Sequence, residues 1–184
     1  MTVQTYGDAF GCMTAFGVVE AALQRHRRAL AGFGRAVAAA AAAERWNAPT
    51  PCPDWDARAL VEHVIGFHEV LLLRPLEIRA NRPRDDVPGR WAATVDAIDR
   101  ALPQLTPEMH ATLPALTNDV LVHTWDLARA ARADETHDPE LVECALRSID
   151  PPAMAKSGMF APPVPVSSDA APWVLLLGAY GRQV

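Results

Sequence analysis

The segment from Leu116 to Arg132 constrains this chain most, because it combines a helical pattern with polar side chains on the side that a helix normally buries. Asp119, His123 and Asp126 lie at positions i, i+4 and i+7, so on a helix of about 3.6 residues per turn they project from one side. The apolar residues close to the same side are Leu116, Val120 and Leu127. A buried uncharged polar group without a partner costs roughly 2–7 kcal/mol and an ionised carboxylate costs more, so this cluster needs either mutual hydrogen bonds or a cation.

The length and charge of the chain limit the classes of protein to which it can belong. At 184 residues, half of them hydrophobic, it is long enough for one domain with a large core. The formal net charge is −5 and the arginines are spread out, so we expect no nucleic-acid partner. Three cysteines without a C-x-x-C pair predict neither a disulfide framework nor a thiolate zinc site, and they fit a reducing cytosol.

The N-terminal stretch is a poor secretory signal, because it has no Lys or Arg before Arg25 and contains Asp8. No run reaches the roughly 18 uninterrupted apolar residues that a membrane span needs. We therefore expect a cytoplasmic protein without a membrane partner.

Apolar residues at helical spacing predict at least four amphipathic helices, and prolines separate them. Whether residues 1–19 form a short helix or an arm stays open. Residues 103–115 are predicted as a turn and residues 150–172 as an extended, proline-rich surface segment. The predicted helices cover residues 20–45, 57–73, 90–105, 116–132 and 139–149, and a last short helix at 173–181 is expected to dock back on the bundle. No strand pattern is present, so the fold class is predicted as all-α, a helical bundle.

Facing helices of a bundle can hold a metal ion between two ligands on one helix and a third from a neighbour. Asp119 and His123 are one turn apart, and His63 comes from the middle of the second helix. Two imidazoles and a carboxylate suit a divalent ion, with Asp126 free to accept the other ring N–H of His123 or to bond a backbone group. The alternative is a hydrogen-bonded side-chain pair without metal.

Cys52 and most of the remaining histidines and tryptophans are predicted to lie outside the ligand set. His68 is five residues beyond His63, about 140° around the helix, and is either an extra ligand or an ordinary partly buried or surface side chain. Cys52 is predicted as a structural thiol. Three histidines are predicted to face solvent: His26, His110 and His137. Three tryptophans are predicted as core anchors: Trp46, Trp55 and Trp125.

Three blocks of sequence resemble one known family. They are WNAPTPCPDWDARALVEHVIG (46–66), DVLVHTWDLARA (119–130) and GMFAPPVPV (158–166). In order and rough spacing they are similar to the DinB-like metal-binding bundles related to the N-terminal domain of mycothiol-dependent maleylpyruvate isomerase. The resemblance divides the chain into an N-terminal extension, 1–22, and a DinB-like metal-binding helical domain, 23–184.

The resemblance implies a four-helix bundle with a divalent ion, zinc or nickel, held by His63, Asp119 and His123. It also implies a low-molecular-weight thiol, such as mycothiol, as co-substrate of an S-transferase or isomerase that acts on a small electrophile. The family carboxylate is a glutamate, so Asp119 is one methylene shorter. No catalytic acid or base is assigned.

Two departures from the family favour an alternative function. The isomerase carries a second, C-terminal domain, which we do not expect here, and the connection over residues 105–118 is shorter than in relatives. One alternative is therefore a metal-containing bundle without turnover that serves as a binding or interaction module. Another is a metal-free helical interaction protein with exposed apolar patches at residues 6–19 and 173–180. A homodimer through apolar helix faces would fit any of these functions.

Overall fold

The computed structural model describes residues 15–158 and 160–184, and the described part contains seven α-helices and no β-strand. The helices are α1 (Ala15–Ala42), α2 (Ala57–His68), α3 (Val87–Ala101), α4 (Pro107–Ala131), α5 (Pro139–Ser148), α6 (Pro151–Ser157) and α7 (Pro172–Ala179). The predicted all-α class is confirmed.

The first four helices form a bundle around one apolar core. Helix α4 packs along α1 and also against α2 and α5, while α3 packs against α1 and α2. Each of the four helices contributes fully buried side chains to the core; examples are Phe33, Leu60, Ile98 and Leu116. Helix α7 packs against α5 on the outside of the bundle. The four-helix bundle with additional short C-terminal helices is therefore confirmed.

Helix α2 begins at a capping aspartate and ends in a widened turn. The side chain of Asp56 accepts a hydrogen bond from the backbone N–H of Ala59 at 2.8 Å, which satisfies one of the free donors at the helix start. After His68 the chain continues as a π-helical turn, Glu69–Leu73, in which the N–H of Arg74 donates to the carbonyl of Glu69. The second predicted helix thus has the expected length.

Helix α4 is longer than the sequence pattern indicates, and the prediction of a turn over residues 103–115 is wrong for residues 107–115, which are helical. Thr106 caps α4 through a hydrogen bond from Met109 N–H, and Pro107 takes the first helical position, where no donor is lost. Pro114 lies inside the helix, between the buried Leu113 and Leu116. Burial of these neighbours keeps the segment helical although Pro114 lacks one N–H. Residues 105–118, predicted as a connection shorter than in relatives, are mostly helical, because α4 begins at Pro107.

The C-terminal segment is extended where it approaches α7. Residues 151–157 form α6, so the prediction of extended chain is wrong there, whereas residues 161–167 are extended. The N–H of Val164 donates to the carbonyl of Gly178 at 2.9 Å, and a Cβ at Gly178 would lie 3.0 Å from the carbonyl oxygen of Val164. A side chain at position 178 would therefore push the two segments apart, and glycine avoids this contact.

Helix α7 is docked, as predicted, so residues 173–180 do not form the exposed apolar patch that the metal-free alternative requires. Leu176, Leu177 and Tyr180 are buried. The predicted patch at 6–19 and the predicted extension, 1–22, lie mainly outside the described residues, and the domain boundary stays a prediction. Among the helices described here, none has the length and apolar character needed to cross a membrane.

Candidate metal centre

The three predicted ligands come together where α2 packs against α4. His63 projects from α2, and Asp119 and His123 project from α4 one turn apart. The Nε2 atoms of both histidines lie 3.5 Å from Oδ1 of Asp119. One potential ligand atom from each residue lies within 4.8 Å of the other two. The predicted juxtaposition is therefore present.

Asp119 offers a free oxygen to this cluster. Its Oδ1 faces both imidazoles, whereas Oδ2 is buried without a hydrogen-bond partner among the described residues. Burial raises the pKa of this carboxyl, but the hydrogen bonds from His123 and His63 lower it by more than burial raises it. The pKa of Asp119 therefore lies well below its usual range. An ionised carboxylate with an unpartnered buried oxygen fits a cation ligand.

His123 lies between two carboxylates. Its Nδ1 donates to Oδ2 of Asp126 at 2.9 Å, which confirms the predicted contact and turns Nε2 toward Asp119. Burial lowers the pKa of His123, whereas hydrogen bonds to Asp119, Asp126 and Cys52 raise it well above its usual value. Coordination by Nε2 therefore requires loss of the proton held there.

A second group of potential ligands lies on the other side of the His123 ring. Cys52 Sγ is 3.2 Å from Oδ2 of Asp126. One potential ligand atom from each of Cys52, His123 and Asp126 lies within 4.8 Å of the other two. A cation is already present here, because Nη2 of Arg182 donates to Asp126 Oδ2 at 2.6 Å and to Cys52 Sγ at 2.9 Å. The His63 side is the better candidate for a metal ion.

A proline-rich loop places Cys52 and Trp55 at the site. Residues 46–58 fold back on themselves, because the N–H groups of Ala57 and Arg58 donate to the carbonyls of Ala48 and Trp46 at 3.0 Å. Trp55 then lies with its ring centre 4.5 Å from that of His63. Trp55 packs against the core, as predicted, and also forms a wall of the cleft. Trp125 is fully buried, as predicted.

The ligands open into a cleft of about 350 Å³ with largely aromatic walls. Phe67 stacks on His63, and Phe160 meets Tyr180 edge-on. Burial raises the pKa of Tyr180 to about 12, so its hydroxyl stays protonated. The cleft is lined by Cys52, Pro53, Trp55, His63, Phe67, Asp119, Val122, His123, Phe160, Ala161, Tyr180 and Arg182.

The other histidines lie outside the two ligand groups. His68 is fully buried and bonds the carbonyl of Val64, so the structure does not place it as an extra ligand. The prediction that His26 faces solvent is wrong, because it is fully buried beside His68. His110 and His137 are only partly exposed, and His137 stacks on Trp173.

Sequence reasoning missed the C-terminal contribution to the site. Phe160, Tyr180 and Arg182 are distant in sequence from the predicted ligands, and no periodic pattern connects them. One signal was available: a buried Asp126 needs a partner of positive charge, and Arg182 is an isolated cation directly after an apolar helix.

Comparisons with known proteins agree with the resemblance in the sequence. The family model for the mycothiol maleylpyruvate isomerase N-terminal domain matches residues 26–136. Two proteins of Mycobacterium tuberculosis, "Uncharacterized protein MT0763" of strain CDC 1551 / Oshkosh and "Uncharacterized protein Rv0738" of strain ATCC 25618 / H37Rv, are each 34% identical, over 88% of this chain and 98% of theirs. No solved structure matches. With this bundle and this match, the chain belongs to the family of the mycothiol maleylpyruvate isomerase N-terminal domain.

Proposed function

We propose that this protein binds a divalent cation, zinc or nickel, through His63, Asp119 and His123, and activates a low-molecular-weight thiol for transfer to, or isomerisation of, a small electrophile. The observation that carries the proposal is the convergence of three ligand atoms within 4.8 Å, one from a carboxylate whose second oxygen is buried and unpartnered. Family membership supports mycothiol as the thiol. The expected cytoplasmic location and homodimer stay predictions.

The donor set suits this chemistry. Two imidazoles and one carboxylate leave coordination positions open, as catalytic sites for zinc do. When bound, a divalent cation would stabilise a thiolate at neutral pH and polarise a carbonyl group. Asp126 would orient His123 through the 2.9 Å contact with Nδ1.

The cleft walls support a small electrophile with apolar surface. Trp55, Phe67 and Phe160 lie beside the ligands and would exclude water from the reacting groups. The guanidinium of Arg182 is already paired with the buried Asp126 carboxylate, so it is not free to bind an anionic substrate. A volume of about 350 Å³ lies at the lower end of the range for small-molecule sites.

The first test is metal content by mass spectrometry of protein purified without added metal. We expect about one equivalent in the wild type and little in the His63→Ala and His123→Ala variants, because each removes one of three protein ligands. His110→Ala is the matched control, since His110 lies on the same helix about 20 Å from His123 at 1.5 Å per residue. Equal metal in all four proteins would contradict the assignment.

The second test is turnover of mycothiol with a chromogenic electrophile by the metal-loaded protein. We expect thiol consumption by the wild type and the His110→Ala variant and a loss of at least about 100-fold in His63→Ala, since the cation would supply most of the activation. Stoichiometric metal without turnover of any thiol and electrophile pair would instead support the non-catalytic metal-containing bundle.

A further inference from the structure

Arg182, just after α7, inserts its guanidinium into the cleft that the bundle helices form. Its Nε donates to Oδ1 of Asp126 at 3.2 Å and its Nη2 donates to Oδ2 at 2.6 Å. The Asp126 side chain is fully buried and that of Arg182 is 10% exposed. Both carboxylate oxygens are thus held by one rigid cation, the arrangement that best defines the orientation of a carboxylate.

The backbone before Arg182 is shaped to direct this side chain inward. Gly181 adopts a positive φ of 78°, and a Cβ there would lie 2.8 Å from the carbonyl oxygen of Pro162. The N–H of Arg182 donates to the carbonyl of Leu177 at 2.9 Å, and its Nη1 donates to the carbonyl of Tyr180 at 2.6 Å. The side chain is therefore tied to the end of a docked helix.

Asp126 connects Arg182 to His123, one of the three candidate metal ligands. Its Oδ2 accepts from Nδ1 of His123 at 2.9 Å as well as from Arg182. Nε2 on the opposite side of the imidazole faces Asp119. A fixed carboxylate on one ring nitrogen sets both the tautomer and the direction of the other nitrogen.

We propose that Arg182 is a positioning residue of the candidate metal centre, which holds Asp126 against His123 and thereby keeps Nε2 of His123 aimed at the position between His63 and Asp119. The inference rests on the proposed function. Arg182 lies beyond the family match, which ends at residue 136, so the C-terminal segment adds a part of the site that the matched region lacks.

The test measures zinc affinity by competition with a chromophoric chelator, together with the visible absorption spectrum of the cobalt-substituted protein. We expect Arg182→Gln to bind zinc about 10- to 100-fold more weakly than the wild type and to change the cobalt spectrum, because the His123 ligand loses its orientation. Arg182→Lys, which keeps the charge but not the two-point contact, should lie between them. Arg147→Gln is the matched control, since Arg147 is an exposed arginine whose side chain is 66% accessible.

A double-mutant cycle with Asp126→Asn separates positioning from a loss of stability. The double variant Asp126→Asn/Arg182→Gln leaves no unpaired buried charge, so it is the version best able to fold. If Arg182 acts through Asp126, Arg182→Gln causes no further loss of affinity in the Asp126→Asn background.

The outcomes distinguish this inference from the proposed function. Equal losses from Arg182→Gln in both backgrounds, or an affinity and cobalt spectrum unchanged by Arg182→Gln, would overturn the positioning role while the metal site stands. Absence of metal from the wild type, measured before any variant, would overturn the proposed function and this inference with it.

Discussion

At the residue scale, His26 and His68 are two buried histidines that belong to neither group of potential metal ligands. The Thr117 hydroxyl donates to the carbonyl of Leu113, so its oxygen accepts from Nδ1 of His26, while Nδ1 of His68 donates to Val64. Both Nε2 atoms are then unprotonated and lack a partner among the described residues. Burial lowers the pKa of His26 well below its usual value, with further lowering by His68 and Arg27, and burial also lowers that of His68.

This pair predicts a loss of stability in mild acid. His26 has a lowered pKa in the folded state and a pKa near 6.5 in the unfolded state. Below about pH 6.5 the unfolded chain therefore binds a proton at His26 that the folded protein does not bind, so the free energy of unfolding decreases as the pH is lowered. We expect the wild type to lose about 1 kcal/mol more than His26→Leu between pH 7 and 5.5, measured by urea denaturation. Thr117→Val, which removes the hydrogen-bond partner but no titrating group, should keep the wild-type slope. Parallel pH profiles for wild type and His26→Leu would contradict the assignment.

At the element scale, α2 carries one ligand and depends on its N-terminal cap for its start. Asp56 provides this cap and also pairs with Pro49 across the folded loop. The same loop carries Cys52 and Trp55. Asp56 therefore fixes the position of these two side chains relative to His63 on α2.

We expect Asp56→Ala to lower the free energy of unfolding by about 1 kcal/mol, because the N–H of Ala59 loses its acceptor. Asp85→Ala is the control, since Asp85 is an exposed aspartate in the α2–α3 connection. Urea denaturation monitored by circular dichroism gives both values. Equal effects of the two substitutions would show that the Asp56 cap does not contribute to stability.

At the scale of the whole molecule, the cleft is built from four separate parts of the chain. The proline-rich loop, α2, α4 and the C-terminal segment each contribute side chains to its lining. A ligand that binds only this assembled arrangement stabilises the folded state relative to the unfolded chain.

We expect zinc at about 100 times its dissociation constant to raise the free energy of unfolding of the wild type by about 2.7 kcal/mol. His63→Ala should lose this increment. Because each variant is compared with itself without zinc, any stability lost with the 3.5 Å contact between His63 and Asp119 does not enter the comparison. His110→Ala should keep the increment. Thermal denaturation with and without zinc measures both quantities, and an equal increment in His63→Ala would exclude this ligand.

Much of this arrangement was predictable from local pattern. The stripes of apolar residues predict the bundle helices, and the i, i+4 spacing of Asp119 and His123 predicts two side chains on one face of α4. Pro114 shows the limit of such rules, because tertiary burial of Leu113 and Leu116 keeps the helix intact through a residue that usually ends it. His26 was misplaced, and the second role of Trp55 as a cleft wall was not predicted, because residue type alone does not distinguish a core position from a cleft wall or from the surface.

The sequence by itself determined most of the helical segments and which polar groups share a helix face, because helix periodicity is a local property of the backbone. It did not determine the helical residues 107–115 and 151–157. Only the tertiary structure decided that His63 meets Asp119 across two helices, that Cys52 and Trp55 reach the same cleft, and that Arg182 neutralises Asp126. These contacts join residues up to 130 positions apart in the chain, as between Cys52 and Arg182. They depend on how whole helices pack and on the need of buried charges for partners, which no local pattern encodes.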